Sequence, residues 1–186
     1  GEAVRGADVV ICSIELERFP RWELDRSIPA RLGIDQALGA NGGPGGLFHA
    51  LRMIPGAVEL AKSTERLAPD AVFLNLTNPM TRICQGIAEA TSVKAVGLCH
   101  EITGGRESVA AILGVPEPEL RVEAAGLNHF TFFTRVEDST GKDLYPKLRE
   151  HLRSQPGTHV KDDRLLVSDL LRATGVCCVT NDSHVG

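Results

Sequence analysis

Several features that would place a protein in a broad functional class are missing from this sequence. Its 186 residues carry a formal net charge of −4, so there is no excess of basic residues for binding nucleic acid. No apolar run approaches the roughly 18 residues needed to cross a bilayer, and the first residues show no signal-peptide pattern. We therefore expect a soluble chain that has neither nucleic acid nor a membrane as a partner.

A metal-binding cysteine repeat is missing too. The five cysteines are odd in number and form no metal-binding repeat; they are Cys12, Cys84, Cys99, Cys177 and Cys178. This usage predicts reduced thiols and a cytoplasmic protein. The hydrophobic content of 42% is nevertheless sufficient for the core of one domain, or of one domain and part of another.

The glycine turn that normally opens a dinucleotide-binding unit is a third absence, because no Gly-x-Gly-x-x-Gly occurs. Residues 1–6 look like the end of a helix that leads into an apolar strand over 7–14, a composition typical of a strand covered on both faces. The chain would then begin inside a Rossmann domain. We expect the sequence to be an internal fragment of a longer protein.

The stretch Asn75-Leu-Thr-Asn-Pro-Met80 is the first positive signal. The apolar run 70–75 predicts a buried parallel strand, and residues 81–90 predict a helix. Asn78 would project from the carboxyl end of the strand, the edge at which open parallel sheets bind ligands. On this stretch alone, a plain turn in which Asn78 caps the helix is the favoured alternative.

Two later stretches repeat this arrangement after predicted strands. They read Gly97-Leu-Cys-His-Glu101 and Gly126-Leu-Asn-His-Phe130. Cys99 and His129 would therefore lie at the same edge as Asn78. A thiolate and an imidazole from two strand ends form half of a divalent-metal site, with positions left for substrate oxygens and water.

The remaining sequence predicts further elements. A glycine-rich turn over 41–46 leads into a helix over 47–67 that Pro55 should kink or end. Glycines at a helix start let backbone N–H groups approach a polar ligand, and a mobile linker is the alternative. Residues 19–38 contain two prolines and predict a loop with short helical pieces. The other predicted elements are helices over 103–113, 142–152 and 163–173, strands over 93–98, 121–127 and 130–136, and a short buried segment over 176–180.

Taken together, these motifs resemble the NAD- and metal-dependent glycosidases of glycoside hydrolase family 4, over nearly the whole chain. The α-galactosidase and α-galacturonidase branch is the most similar. The resemblance implies an α/β fold in which residues 1–127 form a partial Rossmann-like parallel sheet, of the lactate/malate dehydrogenase type, lacking its first strands. Residues 128–186 would start an α+β C-terminal domain. It also implies a homo-oligomer, a dimer or a tetramer.

The implied activity is hydrolysis of O-glycosidic bonds in a small α-galactoside or α-galacturonide. In this family NAD⁺ removes hydride from C3 of the sugar, a base removes the C2 proton, and the glycosidic oxygen leaves C1. Water then adds and the hydride returns. Ordinary glycosidases instead use two facing carboxylates, and no acidic residue here lies in such a motif.

The resemblance also implies roles for individual residues, which we give by function. The metal ligands would be Cys99 and His129, with Mn²⁺ as the family metal, although a thiolate would suit zinc or iron as well. The predicted cofactor contacts are Ser13, Glu15, Asn75 and Thr77. The predicted substrate contacts are Asn78, Asn128, Arg52 and His49, and His49 stands where many relatives have arginine.

The catalytic groups are predicted less completely. His100 would act as a general acid or orienting group, because histidine titrates near neutral pH. Asp182 and His184 in the terminal motif are further catalytic candidates, and a base beyond Gly186 is the alternative. Tyr145, the only tyrosine, is better interpreted as a half-buried helix residue. We therefore expect this chain alone to be weakly active or inactive.

Two other functions remain open at this stage. A lactate- or malate-type 2-hydroxy-acid dehydrogenase has a related fold, but it requires a histidine–aspartate pair and an arginine clamp and gives no reason for Cys99 and His129. A non-catalytic remnant would fold only with a partner or serve as an oligomerisation module.

Overall fold

A computed structural model describes residues 2–36, 42–154 and 165–179 of the chain. The chain divides into two compact units, Gly1–Cys99 and His100–Gly186. Along the described ranges, no helix has the length and apolar character needed to cross a bilayer.

The first unit is built on the predicted parallel sheet. Its strands, in sheet order, are β1 (Val9–Cys12), β2 (Val72–Asn75) and β3 (Lys94–Gly97), and each pair is parallel. The helices of this unit are α1 (Arg18–Arg31), α2 (Gly43–Leu67) and α3 (Met80–Ala90). The α/β, Rossmann-like class predicted for this part of the chain is confirmed.

The core of this unit lies between the sheet and the long helix α2. Phe73 of β2 and Ile83 and Ile87 of α3 are fully buried, packed with Met53 and small alanines of α2. A Cβ on Gly86 would lie 2.8 Å from Ile54, so α2 and α3 approach closely. In contrast, Val9 and Ile11 of β1 are 51% and 65% exposed. The expectation that β1 is covered on both faces is therefore wrong for the described residues.

Helix α1 corrects a second expectation, since it is a single helix and not a loop with short pieces. Pro20 lies in its first turn, where the N–H that proline lacks would have no helical partner. Pro29 lies inside the helix and cannot bond the carbonyl of Asp25 four residues earlier. That carbonyl accepts a hydrogen bond from Gln36 Nε2 at 3.4 Å instead. A side chain beyond the helix end thus replaces the missing backbone bond.

Helix α2 begins at Gly43, four residues before the predicted start, and continues through Pro55 to Leu67. Pro44 occupies its first turn, a position where proline is favoured. Pro55 therefore does not end the helix. Of the predicted glycine-rich turn, Asn41 lies outside the described residues.

The second unit contains helices on an antiparallel sheet. Its elements are α4 (Glu101–Leu113), β4 (Arg121–Leu127), β5 (Phe130–Glu137), α5 (Tyr145–Ser154), α6 (Leu165–Thr174) and β6 (Cys177–Cys178). The strands pair in the order β4, β5, β6. The predicted antiparallel sheet in this part of the chain is confirmed.

The division between the units lies earlier than the domain boundary predicted between 127 and 128. Val109, Ala110 and Leu113 of α4 share a buried cluster with Phe133 and Val136 of β5. Helix α4 therefore packs with the antiparallel sheet. The domain boundary predicted between 127 and 128 falls in the turn between β4 and β5 and stays a prediction.

Candidate active-site residues

A hydrogen-bonded turn follows β2 at the carboxyl edge of the parallel sheet. Asn75 is fully buried, and its Nδ2 donates to the carbonyl of Thr77 at 3.1 Å. The N–H of Thr77 donates back to Asn75 Oδ1 at 3.2 Å. Because buried amides need such partners, this reciprocal pair fixes the backbone immediately before Asn78.

Thr77 also connects this turn to the neighbouring strand. Its Oγ1 accepts the N–H of Ile14 at 2.9 Å and donates to the carbonyl of Cys12 at 3.4 Å. Between these two residues Ser13 is exposed. The described hydrogen bonds of Asn75 and Thr77 therefore shape the sheet edge, and their contact with a cofactor, like that of Ser13, stays a prediction.

Asn78 is exposed and follows this fixed turn. Its Oδ1 accepts the N–H of Met80 at 3.4 Å, at the first residue of α3, and its peptide bond to Pro79 is cis. The N-cap residue of α3 is Pro79 and no side chain caps the helix, so Asn78 bonds the helix start from one residue before the cap. Its Nδ2 makes no hydrogen bond with the described residues and remains available to a ligand.

Two residues that were assigned to different ligands are brought together in the structure. His49 Nε2 lies 3.3 Å from Glu15 Oε1, and His49 is 8% exposed. Glu15 was predicted to contact the cofactor and His49 the substrate. The imidazole of α2 is therefore held against the segment after β1, 34 residues earlier in the sequence.

Arg52, predicted to contact substrate, is held by a carboxylate that sequence reasoning missed. Its Nη1 donates to Asp25 Oδ1 at 3.0 Å and its Nη2 to Asp25 Oδ2 at 2.5 Å. The Asp25 side chain is only 7% exposed. This hydrogen bonding raises the pKa of the Arg52 guanidinium. Arg52 Nε is buried and makes no hydrogen bond with the described residues.

Cys99 and His100 lie at the end of β3 and the start of α4. Both are exposed. His100 is the N-cap residue of α4, and its carbonyl accepts the N–H of Gly104 at 2.9 Å. The imidazole thus stands at a helix N-terminus, accessible to solvent.

The second predicted metal ligand, His129, lies in the tight turn between β4 and β5. Asn128 and His129 are the two residues that connect the paired ends Leu127 and Phe130. His129 has φ of +59°, in the left-handed region that costs a non-glycine residue about 1–2 kcal/mol. A side chain kept in such a conformation is a candidate for function.

Glu101 holds this turn and was not predicted to do so. Its Oε2 accepts the N–H of His129 at 2.7 Å and lies 3.2 Å from Thr131 Oγ1, whose hydroxyl has a shorter bond, 2.8 Å, to the carbonyl of Leu127. Its Oε1 is buried and makes no hydrogen bond within the described part of the chain. The partner lies 28 residues away, so the only local signal is an acidic residue in a first helical turn.

The remaining catalytic candidates are Tyr145, Asp182 and His184. Tyr145 is 6% exposed; its hydroxyl donates to the carbonyl of Phe133 at 2.7 Å and accepts the N–H of Cys177 at 2.6 Å. Burial raises the pKa of this hydroxyl. Tyr145 is therefore a structural helix residue, as predicted, but it is buried and not half-buried. Asp182 and His184 lie outside the described residues.

The assignment of Cys99 and His129 as metal ligands stays a prediction. Cys99 belongs to the first unit and His129 to the second. Across residues 2–36, 42–154 and 165–179, no group of three or more His, Cys, Asp and Glu side chains is arranged to hold a metal ion.

Comparison with known proteins connects these residues to one family. The family model described as family 4 glycosyl hydrolase matches residues 1–115, and its C-terminal domain matches residues 124–185. An alpha-glucosidase of Erwinia rhapontici is 42% identical over 83% of this chain and 36% of its own length. An alpha-galacturonidase of Thermoanaerobacterium saccharolyticum is 36% identical over 77% of this chain and 32% of its length. The chain thus spans about a third of these relatives.

Solved structures agree with the fold. The lplD protein of Bacillus subtilis superposes with a TM-score of 0.85 at 29% identity, covering 99% of this chain and 47% of that one. The 6-phospho-beta glucosidase of Thermotoga maritima, solved with manganese, NAD⁺ and glucose-6-phosphate, gives 0.72 at 25% identity, covering 95% and 41%. A malate dehydrogenase of Picrophilus torridus gives 0.55 at 17% identity, covering 94% and 49%, which indicates a shared fold only.

Proposed function

The chain belongs to glycosyl hydrolase family 4, and from this premise we propose that it carries part of the active site of an NAD- and metal-dependent glycosidase that hydrolyses α-galactosides or α-galacturonides. The observation that carries the proposal is the turn after β2. Asn75 and Thr77 fix it by hydrogen bonds and leave Asn78 exposed beyond them, at the edge where sheets of this type bind ligands.

The donor set fits a divalent cation. Cys99 supplies a thiolate at an exposed position and His129 an imidazole, a combination that transition metals accept. Beside His129, the buried Glu101 Oε1 is an anionic acceptor with no hydrogen bond to the described residues. We therefore assign Cys99 and His129 as the ligands, with Mn²⁺ as the metal. When bound, the cation would stabilise negative charge developing on a sugar oxygen.

The cofactor assignment concerns the segment after β1. Ser13 is exposed there, and Glu15 is positioned by His49. We assign Ser13 and Glu15 to the cofactor side and propose that Asn75 and Thr77 keep these strand ends in place through the bond to Ile14 N–H. The solved Thermotoga relative contains NAD⁺, which supports NAD as the cofactor. It would accept hydride from the sugar and return it.

The remaining residues would act on the sugar itself. Asn78 and Asn128 can each donate and accept hydrogen bonds and would orient hydroxyl groups. Arg52, with its guanidinium fixed by Asp25, and His49 would contact the distal part of the sugar. His100, exposed at the start of α4, would protonate or orient the leaving oxygen. Asp182 and His184 are proposed as further catalytic groups, on the resemblance alone.

An α-glucoside is the second candidate substrate. The Erwinia alpha-glucosidase has a higher identity to this chain than the Thermoanaerobacterium alpha-galacturonidase, 42% against 36%. The galacturonide alternative requires recognition of a carboxylate, and Arg52 is the cation of α2 that we assign to the substrate. Arg52→Lys keeps the charge but loses the two-pronged pair that positions it against Asp25. We expect this variant to lose more activity on an α-galacturonide than on an α-glucoside, and equal losses on the two would favour the α-glucoside.

Metal binding is the first test. Calorimetry under reducing conditions would measure Mn²⁺ binding by the wild-type chain, by Cys99→Ser and by His129→Ala. We expect the wild type to bind and both variants to lose binding. A cooperatively folded wild-type chain that binds no divalent metal would contradict the proposal and favour the non-catalytic alternative.

The reaction itself has a diagnostic signature. We would incubate the chain with NAD⁺, Mn²⁺ and p-nitrophenyl α-glycosides in D₂O and analyse the released sugar by mass spectrometry. Removal and return of the C2 proton should leave deuterium at C2, which direct displacement would not. Turnover is expected to be low in this chain. Formation of NADH with lactate or malate, and none with glycosides, would favour the dehydrogenase alternative.

A further inference from the structure

Glu101 contacts the turn that carries His129 and the strand that follows it. Its Oε2 accepts the backbone N–H of His129 at 2.7 Å. It also lies 3.2 Å from Thr131 Oγ1, which is closer, at 2.8 Å, to the carbonyl of Leu127. Bonds from neutral donors to a carboxylate are stronger than bonds between neutral groups. Thr131 is buried, so this anchor lies against the sheet and not in open solvent.

The turn needs an anchor of this kind. His129 has a φ of +59° and is one of two non-glycine residues with positive φ in the described part of the chain. Its neighbour Gly126, with φ of +147°, packs so tightly that a Cβ would lie 2.5 Å from the carbonyl oxygen of Phe130. The backbone of His129, and that of Gly126 three residues before it, is therefore in conformations that surrounding contacts must maintain.

We propose that Glu101 is a positioning residue for the metal ligand His129. Its carboxylate fixes the backbone of the turn and thereby the direction in which the imidazole leaves it. The inference rests on the proposed function, in which His129 binds the metal. Groups that orient a ligand in this way commonly change metal affinity by about 10- to 100-fold when removed.

A simpler role for Glu101 is that of an acidic residue in the first turn of α4. Such residues stabilise a helix through its dipole wherever the side chain points. This role predicts that aspartate, with the same charge, replaces Glu101 better than glutamine does. The positioning role predicts the reverse, because glutamine retains the reach and an acceptor oxygen whereas aspartate is one methylene too short.

The two roles are separated by measuring Mn²⁺ affinity calorimetrically for Glu101→Gln and Glu101→Asp. We expect Glu101→Gln to bind within about threefold of the wild type and Glu101→Asp to bind about tenfold more weakly. Glu107 is exposed on the same helix, so Glu107→Gln and Glu107→Asp are the matched controls and should bind like the wild type. Equal affinities of the two Glu101 variants, or a better aspartate variant, would overturn the inference.

Hydrogen exchange of the His129 amide gives a second readout that needs no metal. In the metal-free chain, this amide should exchange about tenfold faster in Glu101→Asp than in the wild type, while amides in the centre of β5 stay unchanged. A His129 amide that exchanges at the wild-type rate in Glu101→Asp would contradict the claim that Glu101 fixes this turn.

His129→Ala separates failure of the inference from failure of the proposed function. If His129→Ala loses Mn²⁺ binding and Glu101→Asp does not, only the positioning role of Glu101 is contradicted. If His129→Ala binds Mn²⁺ like the wild type, the assignment of His129 as a ligand and the positioning role of Glu101 are both contradicted.

Discussion

Arg52 and Asp25 form a two-pronged ion pair, with Nη1 and Nη2 donating to Oδ1 and Oδ2 at 3.0 and 2.5 Å. The pair joins α1 to α2, and the carboxylate is almost fully buried. The guanidinium that we assign to substrate therefore has a fixed position before any ligand arrives. An arginine fixed in this way loses little further freedom on binding.

Asp25→Asn should destabilise the first unit. The substitution leaves the guanidinium, three-quarters buried, without its counter-charge, and loss of one partner of a buried pair costs about 3 kcal/mol. Urea unfolding would measure the change in the free energy of unfolding. Glu23→Gln, which removes an exposed pair with Arg26, is the control and should cost less than about 1 kcal/mol. Similar costs for the two variants would contradict a buried role for Asp25.

Thr77→Val should loosen the carboxyl edge of the parallel sheet. Valine has the same shape but cannot accept the N–H of Ile14, and a half-buried donor left without its partner costs about 1–2 kcal/mol. The free energy of unfolding and the exchange rate of the Ile14 amide would both report the loss. Thr81→Val, at an exposed position at the start of α3, should change neither. An Ile14 amide that stays protected in Thr77→Val would show that the hydroxyl is not its acceptor.

Tyr145→Phe should destabilise the second unit by about 1–3 kcal/mol, because the Phe133 carbonyl and the Cys177 N–H both lose a buried partner. Burial raises the pKa of the hydroxyl above its ordinary value of 10. Its stabilisation is therefore complete below pH 10 and is lost as the pH rises through the folded-state value.

The pH dependence can be isolated by comparing unfolding of the wild type and Tyr145→Phe from pH 8 upward. The difference between them should shrink as the pH rises past about 10. Ser108→Ala removes a hydroxyl that bonds only within α4 and should show no such trend. Metal binding should survive Tyr145→Phe, since the residue lies in the protein core.

The five thiols should differ in reactivity. Burial raises the pKa of Cys84 above its ordinary value of 9.0, so the reactive thiolate is scarcer at any pH below that value than in an exposed cysteine. Cys99 is exposed, while Cys12, Cys177 and Cys178 are buried. Iodoacetamide labelling at pH 8, followed by mass spectrometry, should modify Cys99 first. Cys84 reacting as fast as Cys99 in folded protein would contradict this order.

Elements governed by local pattern were predictable from the sequence. The strands at β1, β2 and β3 are apolar runs bounded by turns, and the pattern alone indicates them. Helix α1 was not predictable from helix propensity, because proline inside a helix normally ends or kinks it. Here Gln36 bonds the carbonyl that Pro29 leaves without a partner. The packing of α4 on β5 was not predictable for a similar reason, since it depends on residues distant in sequence.

The same distinction between local pattern and long-range contact applies to the candidate site. Asn78, Cys99 and His129 could be proposed from the sequence because each follows a strand in a short motif, and their roles stay predictions. The residues that hold their neighbours were not recognisable, because the contacts join positions far apart. Glu101 and His129 are 28 residues apart in the sequence, and Asp25 and Arg52 are 27 apart. Local composition does not indicate contacts over such separations.

The bond between Gln36 and the carbonyl of Asp25 has a consequence for how this region can change over evolution. Gln36 also accepts the N–H of Gly45 at the start of α2, so one amide serves the end of α1 and the beginning of α2. Pro29 costs little stability only while the Gln36 amide bonds the Asp25 carbonyl. Loss of that amide would be tolerated at this carbonyl only if another residue replaced Pro29 and supplied a backbone N–H. Substitutions at 29 and 36 should therefore be epistatic: each tolerated or harmful according to the state of the other.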